Sequence, residues 1–406
     1  MRPAAEAEKL GIPSVVVTTT GFTNIAKAVG RAEGITGLRV AEYPGAVGVH
    51  AEALVEKNVE TVLFDRIVAE LTQPRPGESE GALGSERRAD EIVFEGTFDE
   101  INDHFRQQLW TDELPIVAPT RERVEMFLQH TRRAPDERIA VLAQANLAAT
   151  PWNIAANAVM AGCRPEHMPV LIAAVEAIAD NGYNLNNIGS TWGVLPFLLV
   201  NGPAAHKLGI ENGAQLVNKG ANPALGRALG LIIRNIAGYK LSRNYMGTFG
   251  YPMNFVVAEN EALCPWEPYH VEHGFDRDDS TVTACGTVTW GWPPAIYGTK
   301  DKSAAQTALE MLSLEVTKKP CLGRLVERGP NGFRNMVTFL IAPPVARALA
   351  QAGYDKQKIR EYVYEHARVL PSPEVINIVV CGDPDRNRVM VLWGGYVSPA
   401  TKKIEA

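Results

Sequence analysis

The sequence predicts an α/β protein with a small parallel-sheet lobe at its amino end and a larger α/β or α+β lobe behind it. Two patterns carry this prediction. Over residues 1–73, β-branched runs alternate with amphipathic stretches, which is the βαβ alternation of a parallel sheet. Over residues 91–406, strand-sized apolar runs alternate with longer segments of helical spacing. Residues 74–90 (PRPGESEGALGSERRAD) are rich in Pro, Gly and charge, so we expect a linker there.

Each element of the smaller lobe has a local signal. Residues 14–19 (SVVVTT) form a continuous run of mainly β-branched residues, which predicts a strand buried on both faces. Residues 22–31 follow a turn and carry apolar residues at helical spacing, and residues 38–41 predict a second short strand. Residues 59–71 place their apolar side chains on one face, which predicts an amphipathic helix.

The larger lobe has clearer helix signals. Thr150 before Pro151 is an N-cap followed by a proline at the first helical position, and Asn222 before Pro223 repeats that signature. Further helices are predicted over 98–109, 121–130, 165–182, 306–315, 345–351 and 356–366. Strands are predicted over 91–96, 192–200, 255–258, 280–284, 336–341, 376–380 and 389–392.

Composition excludes several classes of protein. The chain has 406 residues, a formal net charge of −6 and 46% hydrophobic residues, so it can bury a core and lacks the basic excess that nucleic-acid binding requires. Its five cysteines form no Cys-x-x-Cys, and no window of 18 consecutive apolar residues occurs. We therefore expect a cytoplasmic protein with neither a membrane nor a nucleic-acid partner. No Walker loop, GxGxxG, HExxH or GxSxG motif is present either.

Several stretches resemble a known family. EAEKLGIPSVVVTTTGF, EYPG and a helix ending in ELT, all within residues 6–74, resemble the UGSC family of (seleno)proteins. That family is distantly similar to the substrate-binding B component of glycine, sarcosine and betaine reductases. Residues 155–177, 201–210, 226–238 and 258–275 resemble the companion domain found with or beside UGSC-type domains.

The resemblance implies a redox motif that this sequence lacks. In the family, a Sec/Cys-x-x-Cys precedes the helix that corresponds to EKLGIP, and this chain begins inside that helix. One interpretation is that a small Cys-x-x-Cys-bearing partner chain supplies the thiol in trans, since strand pairing needs no covalent link. The other is divergence to different chemistry. We also expect an oligomer, because an uncovered apolar strand edge favours pairing.

The densest polar cluster lies in residues 259–273 (ENEALCPWEPYHVEH), after the strand-like NFVVA. Carboxylates at a strand end are placed where α/β folds carry their sites. Glu259, Glu261 and His270 are therefore candidates for proton transfer. Cys264, His270 and His273 form C-x5-H-x2-H, and sulfur with imidazole suits a transition metal such as zinc or iron. A rigid structural corner stiffened by prolines is the alternative.

A second candidate group suits an anionic substrate. The helix that opens at Asn222 follows a Gly- and Asn-rich segment, and helix N-termini favour anions. Lys219, the Asn222 cap and Arg227 could hold such a substrate; the alternative is a solvated arginine face. The loop 183–192, with Asn187 and Trp192, is predicted to line the same pocket as Asn222 and the 259–273 segment.

Cys163 is a candidate nucleophile. It lies at the junction MAGCRPEH, where a helix N-terminus and Arg164 would lower the pKa of the thiol and His167 would serve as a base. A small buried core cysteine is the alternative.

Three functions are consistent with these residues. The first is the large subunit of a thiol-dependent reductase or lyase that acts on a small carboxylate- or amine-bearing substrate. The second is a metal-dependent enzyme that uses Cys264, His270 and His273. The third is a non-catalytic binding or scaffold subunit.

Overall fold

The computed structural model describes residues 1–35, 37–73, 91–189, 193–240, 244–245, 247, 250, 253–291, 293–318, 336–395 and 397–405. It confirms the α/β class, with a small parallel sheet at the amino end and mixed sheets beyond it. The expected linker 74–90 lies outside the described residues.

The N-terminal unit is built on two parallel strands. They pair in register from Val15 opposite Arg39 to Thr19 opposite Tyr43, as the βαβ pattern predicts. Two small apolar clusters within residues 1–73 form its core. Its elements are α1 (Arg2–Lys9), β1 (Val15–Thr19), α2 (Thr23–Ala32), β2 (Arg39–Tyr43), α3 (Glu52–Asn58), a π-helical turn (Val59–Leu63) and α4 (Phe64–Thr72).

The prediction that β1 is buried on both faces is wrong. Val16 and Thr18 are buried, but Val17 between them is 52% exposed. The apolar cluster that contains Leu63 packs over Ala41 and Tyr43 of β2, so it covers the neighbouring strand and leaves Val17 open. A β-branched run therefore marks a strand here without marking two buried faces.

Within the described residues, the larger unit combines two main sheets with two groups of helices and a small antiparallel pair of strands, Ala140–Leu142 and Leu147–Ala149. One sheet has the strand order β11-β7-β5-β6 and the other has the order β10-β8-β9. Its helices are α5 (Phe98–Gln107), α6 (Arg121–Leu128), α7 (Pro151–Ala161), α8 (Met168–Ala179), α9 (Pro203–Lys207), α10 (Asn222–Asn235), α11 (Tyr269–Glu272), α12 (Ala304–Lys318), α13 (Pro343–Gln351) and α14 (Lys356–Ala367). Its strands are β3 (Ala140–Leu142), β4 (Leu147–Ala149), β5 (Leu195–Asn201), β6 (Val256–Ala258), β7 (Thr281–Thr287), β8 (Val337–Ile341), β9 (Ile376–Val380), β10 (Val389–Trp393) and β11 (Ala400–Lys403).

The two sheets pack face to face between the helices. On β5, Leu198 and Val200 belong to the core cluster that contains α7, α8 and α10. The alternate residue Phe197 belongs instead to a cluster with Val379 of β9 and Leu392 of β10. The other face of the second sheet packs against α12, α13 and α14. The result is a helix–sheet–sheet–helix arrangement, and because both faces of β5 are covered, its sequence is continuously apolar.

One edge of this arrangement brings three strand ends together. β5 and β6 are parallel, so their carboxyl ends lie at the same edge of the sheet. The segment after β6 also reaches the second sheet, because the Asn260 amide donates to the Val380 carbonyl at the end of β9 (2.7 Å). Polar residues that follow these strands are therefore held close to one another.

Most predicted elements are confirmed, and the exceptions are local. Residues 91–96 form no strand and are exposed. The predicted helix 165–182 is a 3-10 turn (Pro165–His167) followed by α8. Thr150 caps α7 as predicted, in a capping box with Asn153. No helix within the described ranges has both the length and the hydropathy needed to cross a membrane.

Candidate functional site

Glu259 lies at the centre of a buried polar cluster at the shared strand edge. It follows β6 directly, and its carboxylate accepts hydrogen bonds from Asn201 Nδ2 (2.6 Å) and from the Tyr269 amide (2.6 Å). Asn201 is the last residue of β5, so the two parallel strands place the amide and the carboxylate side by side. Burial raises the pKa of Glu259 above its ordinary value, although the nearby Lys356 opposes that shift. This carboxyl can therefore hold a proton at a higher pH than an exposed glutamate can.

Glu261 lies beside Glu259 and shares its amide donor. Its Oε1 accepts from Asn201 Nδ2 (3.1 Å) and from the Gly202 amide (2.7 Å). His270 faces the same oxygen, with Nδ1 at 3.7 Å, and the imidazole is fully buried whereas the Glu261 side chain is 25% exposed. The two carboxylates and the imidazole thus form one contiguous group that reaches solvent through Glu261.

Two cations lie on the other side of Glu259. Lys356 Nζ is 3.9 Å from Glu259 Oε1 and 3.1 Å from Glu272 Oε2, and Arg360 Nη1 is 2.5 Å from Glu272 Oε1. Burial alone would raise the pKa of Glu272, but the Arg360 hydrogen bond and the Lys356 charge outweigh it and lower that pKa. Glu272 is therefore held as a carboxylate, whereas the pKa of Glu259 is shifted in the opposite direction.

The predicted metal ligands do not form a three-ligand group. Cys264 Sγ is directed towards Glu259 Oε1 (3.9 Å), and burial raises the pKa of its thiol to about 11. His273 Nδ1 donates to the Tyr269 carbonyl (2.7 Å), and its ring stacks on Tyr269. Among the residues that the structure describes, no group of three or more His, Cys, Asp or Glu side chains is arranged to hold a metal ion. A zinc or iron site here stays a prediction, which elemental analysis of the purified protein tests.

The predicted anion-binding residues are bonded elsewhere. Asn222 does not cap α10, whose N-cap is Ala221; its side chain instead bonds to both backbone groups of Glu211 and to the Val256 carbonyl. Lys219 is exposed and pairs with Glu211 (3.3 Å). These contacts hold the 211–222 loop against β6. The Asn222 side chain at the start of α10 therefore bonds to the protein backbone.

Arg227 is also placed away from the carboxylate cluster. Its guanidinium makes a two-pronged contact with Asp112, from Nε to Oδ2 and from Nη2 to Oδ1, both at 2.9 Å. Nη2 also donates to the Pro115 carbonyl (2.8 Å). None of the contacts found for Arg227 is with Glu259, Glu261 or His270, so the structure does not bring these groups together.

The prediction that Cys163 has an acidic thiol is wrong. Cys163 follows the carboxyl end of α7, where its amide donates to the Ala158 carbonyl after the left-handed Gly162. The negative end of a helix does not stabilise a thiolate. Burial raises the pKa of the thiol to about 12. Burial also lowers the pKa of His167, whose Nδ1 accepts from the Arg164 amide. The alternative of a core cysteine fits these contacts.

The loop before β5 lies at the opposite edge of the sheet from Glu259. Asn187 belongs to a 3-10 turn (Leu185–Asn187) that precedes the amino end of β5, whereas Asn201 is at the carboxyl end. Seven strand residues span roughly 20 Å, so Asn187 does not line a pocket with the carboxylates. Trp192, the other residue predicted for this loop, lies outside the described residues.

Asn201, Thr281 and Lys356 are among the residues of the cluster that were missed from the sequence. Asn201 carried the same signal as Glu259, a polar residue directly after an apolar run. Thr281 begins β7 opposite Asn201. Lys356 is 5% exposed at the start of α14, yet in the sequence it is one charged residue among several on an amphipathic helix. No local signal separates it from a solvated lysine.

A surface cleft lies elsewhere on the same unit. It has a volume of about 380 Å³ and runs along α8, past Arg133, Ile172 and Glu176. Arg133 is already paired with Glu137 (2.8 Å), Glu176 and Glu405. None of the residues predicted for the site lines this cleft.

Comparison with known proteins found a family match for one part of the chain. Residues 1–73 match the model of the UGSC family, which confirms the resemblance given by EAEKLGIP and EYPG for that segment. No curated protein and no solved structure gave a significant match to the chain.

Proposed function

We propose that this chain is the substrate-binding and proton-transferring subunit of a thiol-dependent reductase or lyase that acts on a small carboxylate- or amine-bearing substrate, with the redox thiol supplied by a partner chain. The UGSC match of residues 1–73 supports the thiol chemistry. The observation that carries the rest is the pair Glu259 and Glu261, joined by Asn201 and faced by His270 at the carboxyl ends of β5 and β6.

The two carboxyl groups suit acid–base chemistry because their surroundings differ. Glu259 is buried, its pKa is raised, and it receives two hydrogen bonds that orient its carboxyl group. Glu261 is partly exposed and lies 3.7 Å from His270 Nδ1. Two neighbouring carboxyl groups in different environments can take the separate roles of general acid and general base. In this proposal, Glu259 donates a proton and the Glu261–His270 pair accepts one.

The cysteines support a thiol from another chain. Burial raises the pKa of Cys163, Cys285 and Cys381 to about 12, and that of Cys264 to about 11. Because the thiolate is the reactive form, these four side chains are almost entirely unreactive thiols near neutral pH. Cys321 lies outside the described residues. The reductase or lyase chemistry therefore draws its thiolate from a partner chain in this proposal.

The test measures turnover of the native complex, isolated with its partner. Glu259→Gln and His270→Gln keep size and hydrogen-bonding groups but remove the proton-transferring function, so each should lower turnover by about a hundredfold or more. Glu310→Gln is the matched control, since Glu310 is an exposed residue paired with Lys302. If folded Glu259→Gln and His270→Gln complexes both kept wild-type turnover, the scaffold function would replace this proposal.

A further inference from the structure

Three polar atoms in the carboxylate cluster have no partner. Asn201 Oδ1, His270 Nδ1 and Thr281 Oγ1 are buried and make no hydrogen bond within the described part of the chain. All three residues have 0% exposure. Buried polar atoms are nearly always bonded, because an unbonded one keeps the full cost of losing its water. Three such atoms on neighbouring residues favour a site that is completed by a group outside the protein.

Strand pairing and two side-chain distances connect the residues that carry these atoms. Asn201 and Thr281 are opposite each other on the antiparallel strands β5 and β7, so their side chains share one face, with Cβ atoms about 5 Å apart. Asn201 Nδ2 also donates to Glu261 Oε1 (3.1 Å), and that oxygen is 3.7 Å from His270 Nδ1. The three residues with unpartnered atoms are therefore connected through strand pairing and the Asn201–Glu261 contact.

The bonding of His270 identifies what is missing. Its Nε2 lies 3.4 Å from the Arg277 carbonyl, which can only accept, so Nε2 carries the hydrogen. In the neutral ring, Nδ1 is then an acceptor, and it faces a second acceptor, Glu261 Oε1. The 3.7 Å between His270 Nδ1 and Glu261 Oε1 is too long for a direct hydrogen bond. It suits one donor atom that lies about 2.9 Å from each of these two acceptors. Asn201 Oδ1 is a further acceptor, and Thr281 Oγ1 can accept as well.

The charges around the cluster match a cation. Glu272 is paired with Lys356 and Arg360, whereas the ion-pair partner found for Glu261 within the described residues is His270, so the Glu261 carboxylate could balance an added cation. Two ion pairs fix charged groups of the 267–279 segment near His270, and the same segment carries the exposed carboxyl groups of Asp276 and Asp278. Asp279 pairs with Lys403, and Arg277 pairs with Glu267.

We propose that this space binds a primary ammonium group, which would be the amine end of the substrate; only the identification with the substrate rests on the proposed function. An ammonium nitrogen has three N–H donors and one positive charge. It would donate to His270 Nδ1, to Glu261 Oε1, and to Asn201 Oδ1 or Thr281 Oγ1. A quaternary ammonium group has no N–H and cannot make these bonds.

The test uses methylammonium chloride as the probe, added to the full chain at constant ionic strength with tetramethylammonium chloride as the matched comparison. Two heavy atoms limit affinity to a dissociation constant on the order of 10 mM. We expect saturable binding of methylammonium, seen by ligand-detected NMR and by a rise in melting temperature, and no saturable response to tetramethylammonium. Thr281→Val and Glu261→Gln should weaken methylammonium binding about tenfold, whereas Thr281→Ser and the exposed-site control Glu267→Gln should not.

Equal responses to the two salts, or no response to methylammonium up to about 200 mM, would overturn the proposal. So would unchanged binding in folded Thr281→Val and Glu261→Gln variants, which would leave ordered water or a protonated His270 as the group that fills the gap. The result is separable from the proposed function. If methylammonium bound but Glu259→Gln left turnover unaffected, the ammonium site would be retained and the proposed catalysis rejected. If methylammonium did not bind but Glu259→Gln lowered turnover, the ammonium site would be rejected, and of the proposed function only the amine-bearing substrate class would fall.

Discussion

Replacing Arg227 with Met should destabilise the larger unit without affecting the carboxylate cluster. Arg227 lies on α10 and reaches the 112–115 segment between α5 and α6, where it bonds to both carboxylate oxygens of Asp112 and to the Pro115 carbonyl. The side chains of Arg227 and Asp112 are only 15% and 22% exposed. This two-bond ion pair connects an irregular segment to a core helix. Without the Arg227 guanidinium, Asp112 would remain in a largely buried position with no cation beside it.

The expected loss of stability in Arg227→Met follows from the number of hydrogen bonds and from the burial of the pair. A hydrogen bond to a charged group contributes about 1.5–3 kcal/mol, and removing one partner of a fully buried pair costs about 3–5 kcal/mol. Because the pair is partly exposed, we expect a loss of about 2–3 kcal/mol in the free energy of unfolding for Arg227→Met. For a unit of roughly 300 residues, whose unfolding entropy is about 0.6 kcal/mol per kelvin, that corresponds to a drop in melting temperature of about 3–5 °C.

The assay is urea denaturation monitored by tryptophan fluorescence. It is applied to Arg227→Met, to Asp112→Asn and to the double variant. The double variant should recover about 1–2 kcal/mol relative to the sum of the single changes, because the partners interact directly. Arg227→Lys keeps the charge but loses the two-bond ion pair and should recover only part of the stability. If Arg227→Met unfolded like wild type yet weakened substrate binding by the native complex, Arg227 would belong to the substrate site and our placement would be refuted.

Three further predictions concern other parts of the larger unit. Gly226→Ala should lower stability by about 1–3 kcal/mol or more in urea denaturation, because a Cβ there would lie 2.2 Å from a backbone oxygen of the segment before β6, whereas Gly213→Ala, in open space, should be neutral. The pKa of Glu272 is lowered in the folded chain, so its contribution to stability is present above the unfolded value of 4.5 and is lost as pH falls below it. Glu272→Gln should therefore be less stable than wild type at pH 7 and should approach it in acid, and a constant difference across pH would contradict this. Iodoacetamide at pH 7.5 should leave Cys163 and Cys285 unmodified in the native chain, as intact-mass spectrometry would show, because burial raises the pKa of each thiol to about 12; stoichiometric labelling of either would contradict their burial.

Part of the candidate site could be anticipated from local sequence. A polar residue directly after an apolar run predicted that Glu259 would lie at a strand end, and the structure places it after β6 with Glu261 and His270 beside it. The same rule, applied to the run ending at Val200, would have identified Asn201. Lys356 had no such signal, since a lysine at a helix start is ordinarily exposed, and only the packing of α14 beside Glu259 buries it.

Local sequence determined the α/β class, most of the elements and several of their ends, because strand runs, helical spacing and the Thr150 cap depend on residues adjacent along the chain. The tertiary structure alone decided which elements meet. It directed Arg227 to Asp112, placed Cys163 after a helix end and set Asn187 at the far edge of β5. Strand order, sheet stacking and burial arise from contacts between residues that are distant in sequence. A short stretch of sequence does not indicate which distant segment it will contact. The carboxylate cluster exists because parallel pairing of β5 with β6, and the stacking of a second sheet against them, bring separate segments to one edge.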